Sequence, residues 1–406
     1  DPWGLCNDDG TASAAGLGVI ANGSTLDCSD SSDPVFTVVG VGSNGFPGYS
    51  PQFSELYERS SFAVYGDVSA DVTDTFFLQA ALRYEDYDDF DSEIVGKIAG
   101  KVDITDTFAI RGSLGTGFRA PTPGQQGTIN VSTRLPNGFP VATGLFPAGG
   151  PVAGALGAVP LKPELSDNYT LGFTASLGEL DLTVDFYRID IEDRTQAIST
   201  RDVSTDPTSG DAYTNYLALA AAGVAGAESI GGVFYFTNAF DTSTEGMDIV
   251  ATYPVNWNNG STTTLTGSLN YNKEQFETDP SSVLNAENQY DFENFDPNWR
   301  GVFTARHDMD ALALVARLSW YGESTNSNTG GTPLRFQTFD DIYFFDLEAQ
   351  YRFNEMFKLS VGGRNLFDEY PEIDSISDFC CGRLYNSGTA VDWQGAYYYG
   401  RLAIDF

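Results

Sequence analysis

From Phe62 to Val72 every second residue is small or apolar. Phe62, Val64, Gly66, Val68, Ala70 and Val72 alternate with Ser61, Ala63, Tyr65, Asp67, Ser69 and Asp71. Side chains of a strand point to opposite faces in turn, so a period of two predicts a strand between unlike surroundings. The pattern returns in Phe76, Leu78, Ala80, Leu82 and Tyr84 against Gln79, Arg83 and Glu85, and in Phe108, Ile110, Leu114 and Phe118 against Arg111, Ser113 and Arg119. Later segments repeat it: Tyr169, Leu171, Phe173 and Ala175; Leu265, Leu269 and Tyr271; Leu312, Leu314, Ala316, Leu318 and Trp320; Tyr343, Phe345, Leu347, Ala349 and Tyr351. A soluble two-sheet sandwich would alternate in the same way, so alternation alone does not select a membrane.

The connections discriminate better. Tight links fall at Thr73-Asp74-Thr75, Thr105-Asp106-Thr107, Gly178-Glu179, Asn258-Asn259-Gly260, Met309-Asp310 and Asn354-Glu355, all built from turn-favouring residues. Between them lie long links from Ala120 to Leu165, Ala197 to Gly232, Lys273 to Asn298, Gly322 to Thr338 and Phe367 to Asp392, with one short exception at Asp88 to Ser92. Short turns on one side and long loops on the other mark an outer-membrane barrel. The resulting expectation is an all-β fold, an antiparallel transmembrane β-barrel of roughly thirteen strands. Tyr213 to Ala227 reads as a short helix within a loop. Two strands break phase. In Leu180 to Ile191 the series Leu182, Val184, Phe186 hands over to Tyr187, Ile189, Ile191, which predicts a bulge or a strand leaving the bilayer; Gly246 marks a second irregularity. The last strand ends Leu402, Ile404, Phe406 on one face, an aromatic-terminated signal of the kind read by barrel-assembly machinery. The first and last strands both run toward the short-turn side. Two parallel edges cannot close an antiparallel ring, so the barrel is expected to be partial, with unpaired edges.

Composition agrees. Gly (43), Phe (29) and Tyr (21) are abundant, whereas Met (3) and His (1) are scarce, which suits strands with aromatic girdles. No apolar run is long enough for a membrane helix, and a barrel needs none. The opening Asp1-Pro2-Trp3 lacks a basic start and an apolar stretch, so the sequence is expected to begin after processing or in mid-protein. A formal charge of -35 argues against nucleic acid. Acidic residues crowd into loops, chiefly as a solvated rim; Asp86, Asp88, Asp89 and Asp91 are weak candidates for loose divalent-cation binding. No cofactor is expected. Zinc is disfavoured by the single His307 and the lack of CxxC, and a catalytic base by the position of His307 beside a tight turn. Cys6, Cys28, Cys380 and Cys381 lie outside the strand-like segments; Cys6 and Cys28 bracket a Gly/Ser/Asp-rich stretch and are disulfide candidates, although four cysteines allow three pairings.

Several stretches carry a family resemblance: Arg111-Gly-Ser-Leu-Gly-Thr-Gly-Phe-Arg-Ala-Pro-Thr122, Leu161-Lys-Pro-Glu-Leu-Ser-Asp-Asn-Tyr-Thr-Leu-Gly-Phe173, Asp185-Phe-Tyr-Arg-Ile-Asp-Ile191, Thr237-Asn-Ala-Phe-Asp-Thr-Ser-Thr-Glu-Gly246 and Gly363-Arg-Asn-Leu-Phe-Asp-Glu-Tyr370. In order and spacing they resemble TonB-dependent outer-membrane receptors. The resemblance implies a barrel of about twenty-two strands around an N-terminal plug, and import powered by the TonB complex. Neither plug nor TonB-contacting box is visible in the sequence. Residues 1–56 are therefore expected to be an extracellular loop and 57–406 the C-terminal part of the barrel, with the N-terminal barrel and plug as missing partners. Outer-membrane lipid and lipopolysaccharide complete the expected surroundings. The implied function is uptake of a scarce nutrient such as a siderophore, cobalamin, glycan or peptide; a passive porin or secretion barrel is the alternative. In the motifs, Gly115 and Gly117 permit close backbone approach and Pro121 ends a ladder. Arg111, Arg119 and Arg364 face a lumen, either solvated or paired with acids of the plug. Phe139, Phe146, Tyr290 and Phe292 are loop aromatics that stack on a ligand or on one another.

Overall fold

The computed structural model describes residues 5–7, 9–21, 24–31, 33–37, 58–134, 141–224, 226–328, 333–376, 384–386 and 388–405. The strands are β1 (Ser61–Thr73), β2 (Phe76–Tyr87), β3 (Glu93–Thr105), β4 (Phe108–Arg119), β5 (Asn130–Arg134), β6 (Val141–Leu145), β7 (Glu164–Leu177), β8 (Leu180–Ala197), β9 (Arg201–Asp202) and β10 (Ile230–Phe234). They continue as β11 (Phe236–Asn256), β12 (Thr262–Phe276), β13 (Trp299–Met309), β14 (Leu312–Tyr321), β15 (Ser324–Asn328), β16 (Arg335–Phe339), β17 (Ile342–Arg352), β18 (Phe357–Arg364) and β19 (Tyr397–Ile404). Thirteen of them form one sheet in the order β1-β2-β3-β4-β7-β8-β11-β12-β13-β14-β17-β18-β19, antiparallel at every step. Long and short connections alternate along it as the sequence predicts. β1 and β19 are its two edges and do not pair with each other.

Tight turns use the expected chemistry. Gly178 (φ 67), Gly260 (φ 85) and Asp310 (φ 46) take the left-handed conformation that closes the β7–β8, β11–β12 and β13–β14 hairpins. One face of the sheet is an apolar belt in which Leu82, Ile98, Leu114, Leu171 and Leu402 are more than half exposed. No second sheet covers it among the described residues, which separates this architecture from a sandwich and fits a lipid-facing wall.

The phase change in β8 is not a bulge. Its register with β7 runs without a shift from Leu180 to Glu192, and with β11 from Asp181 to Ile191. Leu182, Val184 and Phe186 therefore share their face with Arg188, Asp190 and Glu192, so one unbroken strand turns from apolar to charged on its outer side, as a strand leaving a bilayer must. The register does shift farther on, at Asn238/Phe240 and Phe240/Thr242 of β11, close to Asp193 with its φ of 55. Gly246 is no irregularity either: β11 passes through it in register with both neighbours. The loop helix spans Asp211–Ala221 rather than 213–227, and left-handed Gly223 follows its end. A helix the sequence did not suggest, Ala286–Asn294, starts from Asn285, whose side chain accepts from the Asn288 N–H.

Candidate functional site

The wall's polar face is organised by cross-strand rows. Arg111 of β4 lies opposite Gly172 of β7, which lies opposite Asp185 of β8. The Arg111 guanidinium spans the glycine and donates to Asp185 Oδ1 at 2.9 Å. A Cβ at Gly172 would stand 2.1 Å from that oxygen, so only glycine admits the pair. The same device recurs twice. Tyr187 lies opposite Gly246, which lies opposite Asn272; the tyrosine ring crosses the glycine, its hydroxyl donates to Asn272 Oδ1 at 3.3 Å, and a Cβ at Gly246 would be 2.1 Å from the ring. Glu348, Gly362 and Tyr399 form the third row, with the Tyr399 hydroxyl donating to the Glu348 carboxylate and a glycine Cβ position 2.8 Å from the ring. Mid-strand glycine was the only sequence signal for these saddles, and without register it does not say which side chain crosses.

Two of the three arginines singled out from sequence, Arg111 and Arg119, are thus held by this chain. Arg111 pairs with Asp185 and Arg119 with Glu164, whose carboxylate also accepts from the Thr195 N–H. Arg364 lies opposite Tyr397. Higher on the outer face Arg188 meets Asp190, Glu245 and Glu277, whereas on the polar face Arg194 pairs with Glu274 while lying over the Phe292 ring.

On the long-loop side two clusters stand over the wall. The first joins the connections 120–163 and 198–235. A four-stranded sheet in the order β5-β6-β10-β9, with β6 and β10 parallel, covers a core of Ile129, Val131, Phe146, Val152, Leu156, Ile198, Leu219, Ile230, Val233 and Tyr235. This is the main apolar core of the described residues. Tyr235 and Arg201 both donate to the Leu156 carbonyl, at 3.1 and 2.7 Å. At its base, Asn238 accepts from the Lys162 N–H and donates to the Lys162 and Asp193 carbonyls, so two sequence motifs close on each other. The second cluster packs the helix Ala286–Asn294 against the β15–β16 hairpin. There the Asp291 carboxylate accepts from the Ser327 N–H (2.6 Å) and hydroxyl (2.9 Å) and from the Asn326 side chain (2.9 Å). Burial pushes the Asp291 carboxyl above its ordinary range, with Glu287 adding to the rise and the Ser327 and Asn326 donors opposing it.

Phe146, expected as an exposed-loop aromatic that stacks on a ligand or packs with other loop aromatics, is 1% exposed in the first core, because β6 pairs with β10 and draws it under the loop. Tyr290 meets Phe336 edge-on at 4.7 Å, and Phe292 stacks on Phe276 at 4.4 Å and meets Phe240 edge-on at 5.7 Å. Both therefore pack within the loops. Phe139, Cys380, Cys381 and Phe406 lie outside the described residues. Cys6 and Cys28 are joined in a disulfide with Cα atoms 5.4 Å apart. Asp86 belongs to β2 opposite Phe62, Asp88 accepts from the Ser60 N–H, and Asp89 pairs with Arg59, so these three carboxylates have separate partners. No group of His, Cys, Asp and Glu arranged for a metal occurs among the described residues. His307 lies opposite Thr263 and Leu314 at the short-turn end, its Nδ1 2.8 Å from the Thr263 hydroxyl. Leu402 and Ile404 pair with Leu359 and Phe357 on the apolar face.

A model of the family described as TonB dependent receptor-like, beta-barrel matches residues 9–366. Among solved structures the chain is similar to the siderophore receptor PirA from Acinetobacter baumannii, with a TM-score of 0.60 and 16% identity over 90% of this chain and 49% of that one. It is similar also to the ferric enterobactin receptor PfeA in complex with BCV-L6, with a TM-score of 0.59 and 16% identity over 93% of this chain and 50% of that one. The siderophore receptor PirA from Pseudomonas aeruginosa gives a TM-score of 0.54 at 16% identity, covering 86% and 49%. The chain thus spans about half the length of these structures. No curated protein matches.

Proposed function

The chain belongs to the TonB-dependent receptor-like β-barrel family of the Gram-negative outer membrane, and from that premise we propose that it forms wall and outer loops of a receptor that imports a scarce nutrient in a TonB-driven step. The observation that carries this reading is a polar-faced wall crowned on its long-loop side by packed loop clusters with their own core. A passive pore has little use for so much ordered structure over its mouth, whereas a receptor needs a shaped surface to choose a ligand.

In this reading, residues 1–56 are external loop and 57–406 barrel. TonB acts through a plug supplied by the N-terminal portion, the strand ending Leu402, Ile404 is read by the barrel-assembly machinery, and the apolar belt meets lipid and lipopolysaccharide. The solved neighbours bind siderophores by their names; a ferric siderophore is accordingly the first candidate cargo, with cobalamin, glycans and peptides behind it. The role is transport and not catalysis.

Deleting the gene, complementing it in cells with and without TonB, and measuring growth on a panel of iron-siderophores, cobalamin, oligosaccharides and peptides tests this. The expected result is loss of growth on one class, restored only where TonB is present. Restoration without TonB would favour a passive pore.

A further inference from the structure

β3 and β4 part before they end. Their ladder runs from Thr105/Phe108 to Lys97/Gly115 and stops there, although β3 begins at Glu93 and β4 continues to Arg119. On the far sides both strands stay paired to their ends, β3 with β2 as far as Glu93 and β4 with β7 as far as Arg119. The sheet is therefore forked over four residues of each strand. At the crotch a side chain stands in for the ladder: the Gly96 N–H donates to the Thr116 hydroxyl at 3.0 Å. A cleft of about 230 Å³ opens there, with Ile94 and Val95 on one bank and Thr116 and Gly117 on the other. Glu93, Asp167, Asp190 and Glu192 also line it, so the fork belongs to the aqueous or headgroup zone, where unzipped backbone is hydrated and cheap.

The two prongs lead to different places. β3 and β2 carry the short loop with Asp89, braced by the Arg59 guanidinium, which lies over the Tyr87 and Phe90 rings. β4 leads to the 120–163 connection and the first loop cluster. Asp89 and the Phe146-to-Val152 arm of that cluster face each other across a second cleft, of about 390 Å³.

We propose that the β3–β4 fork is a clamp: zipping 93–96 onto 116–119 swings the Asp89 loop toward the Phe146-to-Val152 arm and closes the upper cleft. Glycines at 96, 115 and 117 leave the facing backbones free of bulk, and extending the register pairs Val95 with Gly117. The clamp is independent of which nutrient is carried and does not rest on the uptake reading.

The test uses the complete receptor isolated from outer membranes. In the unsubstituted protein, amide exchange at Ile94 and Phe118 should be about tenfold or more faster than at Ile98 and Leu114, which lie in the zipped part. In a background with the native cysteines replaced by Ser, Val95→Cys with Gly117→Cys should crosslink on oxidation and slow exchange throughout 88–92 and 122–129. The control pair Ala99→Cys with Ser113→Cys, inside the ladder, should crosslink without that effect. Equal protection of Ile94, Phe118, Ile98 and Leu114 would overturn the proposal. So would failure of the Val95–Gly117 crosslink where the control forms, or its formation with exchange in both loops unchanged.

Discussion

Replacing Gly246 by alanine should change sign with its neighbour. In the native wall a Cβ at this position would sit 2.1 Å from Tyr187 Cζ and 2.2 Å from its hydroxyl, and no backbone atom is among the three nearest. The tyrosine must then leave its rotamer and its hydrogen bond to Asn272. Forcing a methyl into a packed site costs about 1–3 kcal/mol, and the hydrogen bond adds about 0.5–1.5. With Tyr187→Ala in place the obstruction is gone, and Gly246→Ala should instead stabilise by about 0.5–1 kcal/mol through reduced backbone entropy in the unfolded chain. The coupling energy is therefore expected at about 2–5.5 kcal/mol, well beyond the few tenths found for independent sites. Urea titrations of the four receptors refolded into lipid vesicles measure it. If Gly246→Ala destabilises equally in both backgrounds, the saddle is not what fixes this glycine.

Leu318, in the middle part of β14, sits on the apolar face and Arg317 opposite Asp346 on the other; Leu318→Arg should cost about 2–4 kcal/mol, the range for a charge near the bilayer midplane, and Arg317→Ala little, in the same titrations. Because the folded pKa of Asp291 is raised, its contribution to docking of the helix Ala286–Asn294 is fully present below the unfolded carboxyl pKa and lost as pH rises through the folded one. Local stability from pH-corrected amide exchange should therefore fall as pH rises out of the acid range, and Asp291→Asn should flatten that slope; a rise would refute the assignment. Replacing Cys6 and Cys28 by Ser should speed exchange in residues 5–37 and leave the sheet's unfolding midpoint unchanged, since that disulfide ties only a local loop.

Much of the wall could be read from the chain because its cause is local. Alternation in Phe62 to Val72 and Leu312 to Trp320 reports which face meets lipid, and Asp and Gly at 178, 260 and 310 report turns. The loops resisted for the opposite reason. Phe146 is buried because β6 pairs in parallel with β10, a partner far along the chain, and nothing in the segment around it announces that partner. The saddles show an intermediate case: glycines 172, 246 and 362 are visible in the sequence, but the side chain crossing each belongs to another strand, and Gly246 by itself suggests an irregularity instead. Likewise the run Phe186-Tyr187-Arg188 suggested a bulge or a strand leaving the bilayer, and register was needed to choose the second.

The glycine saddles bear on the size of the pore. A barrel's diameter follows from its strand number and from its shear, the total slip of register accumulated around the ring. A bond between neighbouring strands constrains one step of that slip, whereas Arg111–Asp185, Tyr187–Asn272 and Glu348–Tyr399 each reach across an intervening strand and constrain two steps together. A strand trapped between such partners cannot slide by two residues, the slip that alternation alone would tolerate, without losing the crossing side chain its glycine. The saddles thus act as gauge blocks, making the bore of the assembled wall a property written into three residues that have no side chain at all.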